Sequence, residues 1–260
     1  MTDKNDSLGD RMKMYEATTT GRVIFKGQPI VARLDGKSFH TFTKGLQRPY
    51  DERLKNLMVA ITKELVDRYG AKIGYHQSDE ISLIWYIQSD SQQEYPFGGR
   101  VQKLESILAS TASAFMNKNL ADYLPEKVSA MPVFDCRVFA VPNLTEAYNA
   151  LVWRQQDCVK NAITMAAQSV YSHKALHGKS GEEKQEMLFQ KGINFNDYPF
   201  WFKRGTFVQR MKVIRELNPE QLAKIPEQYR PEGPVERTVV EECDYWLTKL
   251  IDPIQVLFGD

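Results

Sequence analysis

The sequence predicts an α+β fold built on a βαββαβ core, and three observations predict it. Short strand-like segments recur at Ile30–Leu34, across Gly74–Tyr86, and between Pro132 and Pro142. Two stretches with apolar residues at helical spacing separate them. The middle strand-like segment carries Ser78-Asp79-Glu80 at its centre, which marks it as a hairpin of two strands.

The first strand lies in "PIVARLDGKSF", whose apolar run breaks at Asp35-Gly36, as a buried strand ending in a turn does. Leu54, Leu57, Met58, Ile61 and Leu65 then share a helix face, and Gly70 supplies its C-terminal stop. In the hairpin, Ile81, Leu83 and Trp85 alternate with Ser82, Ile84 and Tyr86, the period of a pleated ribbon. A desolvated carboxylate is costly within a strand, so Ser78-Asp79-Glu80 belongs at the bend. After the loop "SDSQQEYPFGG", a second helix aligns Val101, Leu104, Leu108, Thr111 and Phe115. The strand "PVFDCRVFAVP" is closed at both ends by proline.

This order is ferredoxin-like. Its crossovers set the first and third strands side by side and antiparallel, so Asp35, Asp79 and Glu80 are expected to converge at one rim. From about Leu144 the chain changes character: a long helix from Leu151 to roughly His177, then "GINFNDYPFWFKRG", then a Pro- and charge-rich tail ending in a short helix. Residues 1–142 are read as the core. Residues 143–260 are read as a helical, partly β-rich and irregular extension packed on it in one compact unit.

With 260 residues, 42% hydrophobic and 26% charged, the chain has the composition of an ordinary globular protein. A net charge of +1 argues against nonspecific coating of nucleic acid and leaves room for a local basic patch. Cys136, Cys158 and Cys243 are odd in number, far apart and without a CxxC, the pattern of free thiols in a reducing compartment. The polar first residues hold no apolar leader and no run reaches membrane-spanning length, so the expected location is the cytoplasm, away from any membrane.

Converging carboxylates repel one another and demand protons or cations. Hard oxygen ligands on a rigid rim suit Mg²⁺, which binds substrate phosphates and keeps some of its waters. Two such ions can activate an attacking hydroxyl and stabilise a leaving phosphate. Either motif alone reads as an ordinary turn. Their juxtaposition favours a metal rim, a layout used by nucleotidyl-transfer palms and nucleotide cyclases. Basic residues for a triphosphate are sought in Arg33, on the same strand face as Asp35, in Arg48, and in Arg100 and Lys103 at the start of the second helix. On the long helix Arg154, Asp157, Asn161, Thr164 and Gln168 form a polar stripe poor in Lys and Glu, either a solvated face or a binding surface. His40, His76, His173 and His177 show no metal spacing.

"RLDGKSFHTFT", "GYHQSDEISLIW", "FDCRVFAVP", "WRQQDC" and "GINFNDYPFWFKRG" resemble, in order, the motifs of the tRNA-His guanylyltransferase family and its relatives, the reverse-direction (3′–5′) nucleotide polymerases. The resemblance runs from about Met14 to Arg210 and does not reach the last 50 residues or so. It implies a polymerase-like palm with two Mg²⁺ held by Asp35, Asp79 and the backbone carbonyl of Gly36, with Glu80 as a neighbouring acid important for activity. It also implies triphosphate binding by Arg33, Ser78, Arg100 and Lys103. The incoming nucleotide is expected along Lys37, Ser38, Phe39 and His40, with Arg48 and Asn161 adding to its site. Arg154, Lys203 and Arg204 are the expected RNA contacts. The implied reaction uses ATP to activate a tRNA 5′ end, which the 3′-hydroxyl of GTP or another nucleotide then attacks. The implied assembly is a homotetramer, a dimer of dimers.

One departure stands out. Members that add the extra guanosine to tRNA-His carry His-Ile-Asn-Asn-Leu-Tyr-Asn after the "DC" pair, whereas here "VKNAITM" follows Asp157-Cys158. Val159 takes the histidine position and Asn161 alone stays in register. This resembles the like-protein branch, which repairs 5′-truncated tRNAs by copying the opposite strand. A dedicated tRNA-His guanylyltransferase and a non-catalytic tRNA-binding protein are the alternatives.

Overall fold

The computed structural model describes residues 7–259. In chain order the helices are α1 (Ser7–Thr20), α2 (Phe39–Phe42), α3 (Glu52–Tyr69), α4 (Val101–Tyr123), α5 (Leu144–Gln168), α6 (His173–Leu176), α7 (Gly181–Phe189), α8 (Phe200–Arg204), α9 (Pro219–Ala223) and α10 (Pro253–Phe258). The strands are β1 (Ile30–Gly36), β2 (Ile73–Gln77), β3 (Glu80–Trp85), β4 (Phe134–Ala140), β5 (Thr206–Arg215) and β6 (Val235–Cys243). They form one sheet in the order β4-β1-β3-β2-β5-β6, every neighbouring pair antiparallel. The first four strands with α3 and α4 are the expected βαββαβ core.

Alternation along β1 decides what each sheet face carries. Ile30, Ala32 and Leu34 join Ile81 and Leu83 against the apolar faces of α3 and α4. Val31 points the other way, into a second core with Ile73, Tyr75, Ile84, Phe207 and the α5 residues Ala147 and Leu151. Arg33 and Asp35 therefore lie on the α5 side. The register sets Asp35 opposite Glu80 on β3 and opposite Asp135 on β4.

Local signals place the helices. Asp51 caps α3, accepting from the backbone of Arg53, and Gly70 ends it at φ 64°. Two expectations need correction. The long helix spans Leu144–Gln168, not Leu151–His177, because Asn143 caps it early by accepting from the Glu146 backbone. Past Gln168 the chain turns, and Ser172 caps the separate short helix α6. The tail does more than pack on the sheet: β5 pairs with the otherwise open edge of β2, and β6 pairs with β5. Among the described residues, no helix is long and apolar enough to cross a membrane.

Candidate active site

The β2–β3 connection is a two-residue turn, Ser78-Asp79, with Ser78 at φ 50°. Beyond β1, Ser38 also takes a left-handed conformation, φ 56° and ψ 36°, before α2. Such values cost energy in a residue with a Cβ, and strain of this kind gathers at functional sites. Gly36 between them is required by space, since a Cβ there would lie 2.2 Å from the Phe39 ring. Both turns thus close on one rim, bringing Asp35 and Asp79 together.

The two neighbouring acids of the hairpin meet different surroundings. Glu80 is 7% exposed and its carboxylate is taken up by arginine, with Oε1 2.6 Å from Arg154 Nε and Oε2 3.9 Å from Arg33 Nε. Gln77 Nε2 donates to it at 3.4 Å. Asp157 accepts from the far side of Arg154 at 2.9 Å. Burial works against the Arg154 charge, yet its bonds to Glu80 and Asp157 keep its pKa above the ordinary value. Asp35 and Asp79, by contrast, form no salt bridge among the described residues. Burial pushes Asp79 up to about 6, with the Asp35 and Glu80 charges adding to the rise. Its surroundings thus favour the protonated form more than water does.

Two cavities meet at this turn. One, of about 570 Å³, runs from Gly36, Ser38 and His40 past Arg48 and Tyr50 to Trp201. The other, of about 470 Å³, lies on the α5 side and holds Arg33, Asp35, Glu80, Arg137 and Arg154. Gln77, Ser78, Asp79, Asn161, Met165 and Gln168 line both. The polar stripe of α5 is therefore a cavity wall: Arg154, Asp157, Asn161, Thr164 and Gln168 all face the second space.

Not every expected residue is gathered. Arg100 and Lys103 sit at the far end of α4. Ser113 Oγ accepts from the Phe134 backbone, level with Gly36, which leaves Arg100 about 20 Å away along the helix axis. The Phe39 ring is buried against Phe42 and Phe134, so only its flank reaches the cavity. Lys37 is exposed and lines neither cavity. Arg154 is 9% exposed and paired with Glu80 and Asp157, and it meets the second cavity as part of that cluster. Lys203 donates to the Asn196 carbonyl, and Arg204 lies 3.7 Å over the Trp246 ring. Both stand outside the two cavities.

Two residues escaped the sequence reading. Trp153, 52% exposed, begins the polar stripe of α5, with Arg33 5.2 Å and Arg154 4.5 Å from its ring centre. Its position one turn before Asp157 was the available signal. His76, weighed in the sequence only as a metal ligand, is 4% exposed and lines the larger cavity, its Nδ1 without a hydrogen-bond partner among the described residues. As for metals, the described residues bring together no group of three or more His, Cys, Asp or Glu side chains, consistent with Glu80 being turned to arginine. What remains is a carboxylate pair beside a backbone carbonyl. That donor set suits a hard cation whose other ligands are water and phosphate.

Comparison with known proteins converges on one family. The family model for tRNAHis guanylyltransferase (Thg1) matches residues 9–142. The tRNA(His) guanylyltransferase of Saccharomyces cerevisiae is 35% identical over 207 residues, 73% of this chain and 85% of its own length. The uncharacterized protein R259 of Acanthamoeba polyphaga mimivirus is 30% identical over 234 residues, 80% of this chain and 79% of its own. A bacterial tRNA(His) guanylyltransferase (Thg1)-like protein solved in complex with ATP superposes with a TM-score of 0.74 at 38% identity, covering 78% of this chain and 88% of that one. One solved with GTP gives 0.70 at 32% identity, covering 91% of each. With a palm-like sheet, two turns closing on a carboxylate rim and a family match over more than half its length, the chain belongs to the tRNAHis guanylyltransferase family of nucleotidyltransferases.

Proposed function

We propose that the protein adds nucleotides to the 5′ end of tRNA in the 3′–5′ direction, copying the opposite strand to repair truncated ends. The observation that carries this reading is the Asp35–Asp79 pair, two carboxylates without a cation where two cavities meet. One cavity is of a size for a nucleoside triphosphate, and related bacterial proteins have been solved with ATP and with GTP. The other opens beside exposed Trp153 and Arg137, an aromatic face and a positive charge of the kind an RNA end requires.

In this reading Asp35, Asp79 and the Gly36 carbonyl would hold two Mg²⁺ ions. When bound, these ions neutralise triphosphate charge and favour hydroxyl attack at phosphorus. Asp35 and Asp79 fix the reacting ends relative to each other, and the Arg33–Glu80–Arg154 cluster holds the hairpin that carries Asp79. Val159 supports the repair branch. It packs half-buried against the cluster around Ile163 and Phe202, so the α5 position where guanosine-adding relatives present a histidine offers only an aliphatic side chain.

The test is nucleotide addition to two RNAs with Mg²⁺ and ATP, using Asp79→Ala as the blank. One RNA is full-length tRNA-His lacking its extra guanosine, and the other is a 5′-truncated tRNA. Filling of the truncated end directed by the opposite base is the expected result. Preference for tRNA-His whatever base lies opposite would replace repair by dedicated guanylylation. Addition to neither would leave a tRNA-binding protein.

A further inference from the structure

We propose that His76 reads the nucleobase: its Nε2–H donates to a base carbonyl, so that the larger cavity favours guanine over adenine. The proposal rests on the nucleotide reading above and assigns the specificity of that site to a residue.

His76 is on β2, three residues before Asp79, and lines the cavity near Lys55 and Trp201. Its Nδ1 is sealed from any solvent-sized space and has no hydrogen-bond partner among the described residues. Opposite it in the β2–β5 register stands Thr206, 2% exposed, whose hydroxyl also lacks a partner. Buried polar groups left unmatched are rare because each costs about 1–3 kcal/mol, so two side by side call for an explanation.

The sealed nitrogen determines the tautomer. A buried N–H without an acceptor is the rarer and costlier defect, and a bare ring nitrogen the more tolerable one. The proton therefore resides on Nε2, the nitrogen that keeps access to the cavity. The ring is also neutral, its pKa driven down to about 3 by burial first and by the Lys55 charge second. Lys55 supplies further donors on the same wall, its Nζ 3.3 Å from Glu242 with hydrogens to spare. A wall of donors matches the O6 and N7 acceptors of guanine. The N6 amino group of adenine would meet those donors with a donor of its own. The reach fits as well. His76 and Asp79 line the same cavity with Gln77 and Ser78 between them, so a nucleotide whose phosphates meet Asp79 lays its base along the wall that carries His76.

Equilibrium binding of four triphosphates to the full chain with Mg²⁺ tests this: GTP, ITP, ATP and the 2-aminopurine riboside analogue, which lacks O6. GTP and ITP are expected to bind about 3–10-fold more tightly than ATP and the analogue, the range of a single hydrogen bond. His76→Phe should bring GTP and ITP down to the level of ATP while ATP stays within about twofold. His76→Gln, which restores an N–H, should recover part of the difference. The proposal is overturned if the wild-type chain binds the analogue as tightly as GTP, or if His76→Phe weakens all four alike. If the Phe variant does not fold, the ligand series on the wild-type chain decides alone. Failure of every triphosphate to bind would overturn the nucleotide reading itself, a distinct result.

Discussion

Asp79 and Glu80 are neighbours in sequence, yet the two sides of the β2–β3 turn treat them in opposite ways. Glu80 is the first residue of β3 and points to the α5 face, where Arg154 and Arg33 neutralise it. Asp79 sits in the turn itself, facing Asp35, where burial and like charge make its ionisation costly. The difference teaches how a hairpin can separate roles. One carboxylate is spent inside the protein to fix the turn, and the other is left with an electrostatic demand that only a ligand can meet. A residue's chemistry here follows from the face its strand position assigns, not from its side-chain type.

The most direct way to break this contrast is to remove each acid in turn. Asp79→Ala or Asp35→Ala should lower nucleotide addition by about a thousandfold or more while the far-UV circular dichroism and the melt remain native-like. Glu80→Ala should fail differently. It leaves Arg154 to Asp157 alone, which costs about 1.5–3 kcal/mol of stability in urea unfolding, and a second change, Arg154→Met, should recover part of that. A native-like melt for Glu80→Ala alone would mean that the arginine pair is not what holds the turn.

Proton linkage sharpens the same comparison. The folded pKa of Asp79 is about 6, above its ordinary value of 3.8, so the folded state binds the proton more tightly than the unfolded one. This group's contribution is complete below about pH 4 and is lost as pH rises through 6. The full shift corresponds to about 3 kcal/mol, and partial solvent access reduces the expected change to roughly 1–2 kcal/mol. Without Mg²⁺, Asp79→Asn should therefore melt higher than wild type at pH 7.5 and nearly the same at pH 4.5. Added Mg²⁺ should raise the wild-type melt at pH 7.5 and leave the Asn variant unmoved.

Smaller effects are expected on the α5 rim. Trp153→Ala should weaken binding of a 5′-truncated tRNA about tenfold, the worth of one stacked base, with triphosphate affinity unchanged and Trp153→Phe largely intact. Equal loss of RNA and nucleotide binding would make Trp153 a cover for Arg33 instead of a platform. Least of all, Arg204→Ala should cost only about 0.5–1 kcal/mol of stability through its lost stacking on Trp246.

Much of this was legible in the chain. The apolar periods marked β1, α3, the hairpin, α4 and β4, because each signal lies within a window of a few turns or pleats. The order of those elements was enough to bring Asp35 beside the hairpin, since few topologies satisfy it. The early start of α5 is readable in Asn143, a side chain suited to capping, whereas the apolar face alone points to a start at Leu151. The strands β5 and β6 were harder to see. Arg210 and Lys212 alternate with Met211 and Val213, but Ile214 breaks the period and the ribbon is half exposed beyond Gln209, so burial leaves little pattern there.

The sequence by itself determined the secondary elements of the core, their order, and the pair of turns that meet at the rim. Local propensity and strand alternation act over short stretches and leave their mark on neighbouring residues. Only the tertiary structure decided which charges remained unpaired. It bound Glu80 to an arginine 74 residues away, carried Arg100 to the far end of α4, and turned the stripe of α5 into a cavity wall. It also closed His76 into a wall where one of its nitrogens has no partner. Pairing and burial depend on distance in space, and the folded chain sets that distance through contacts that no local pattern contains.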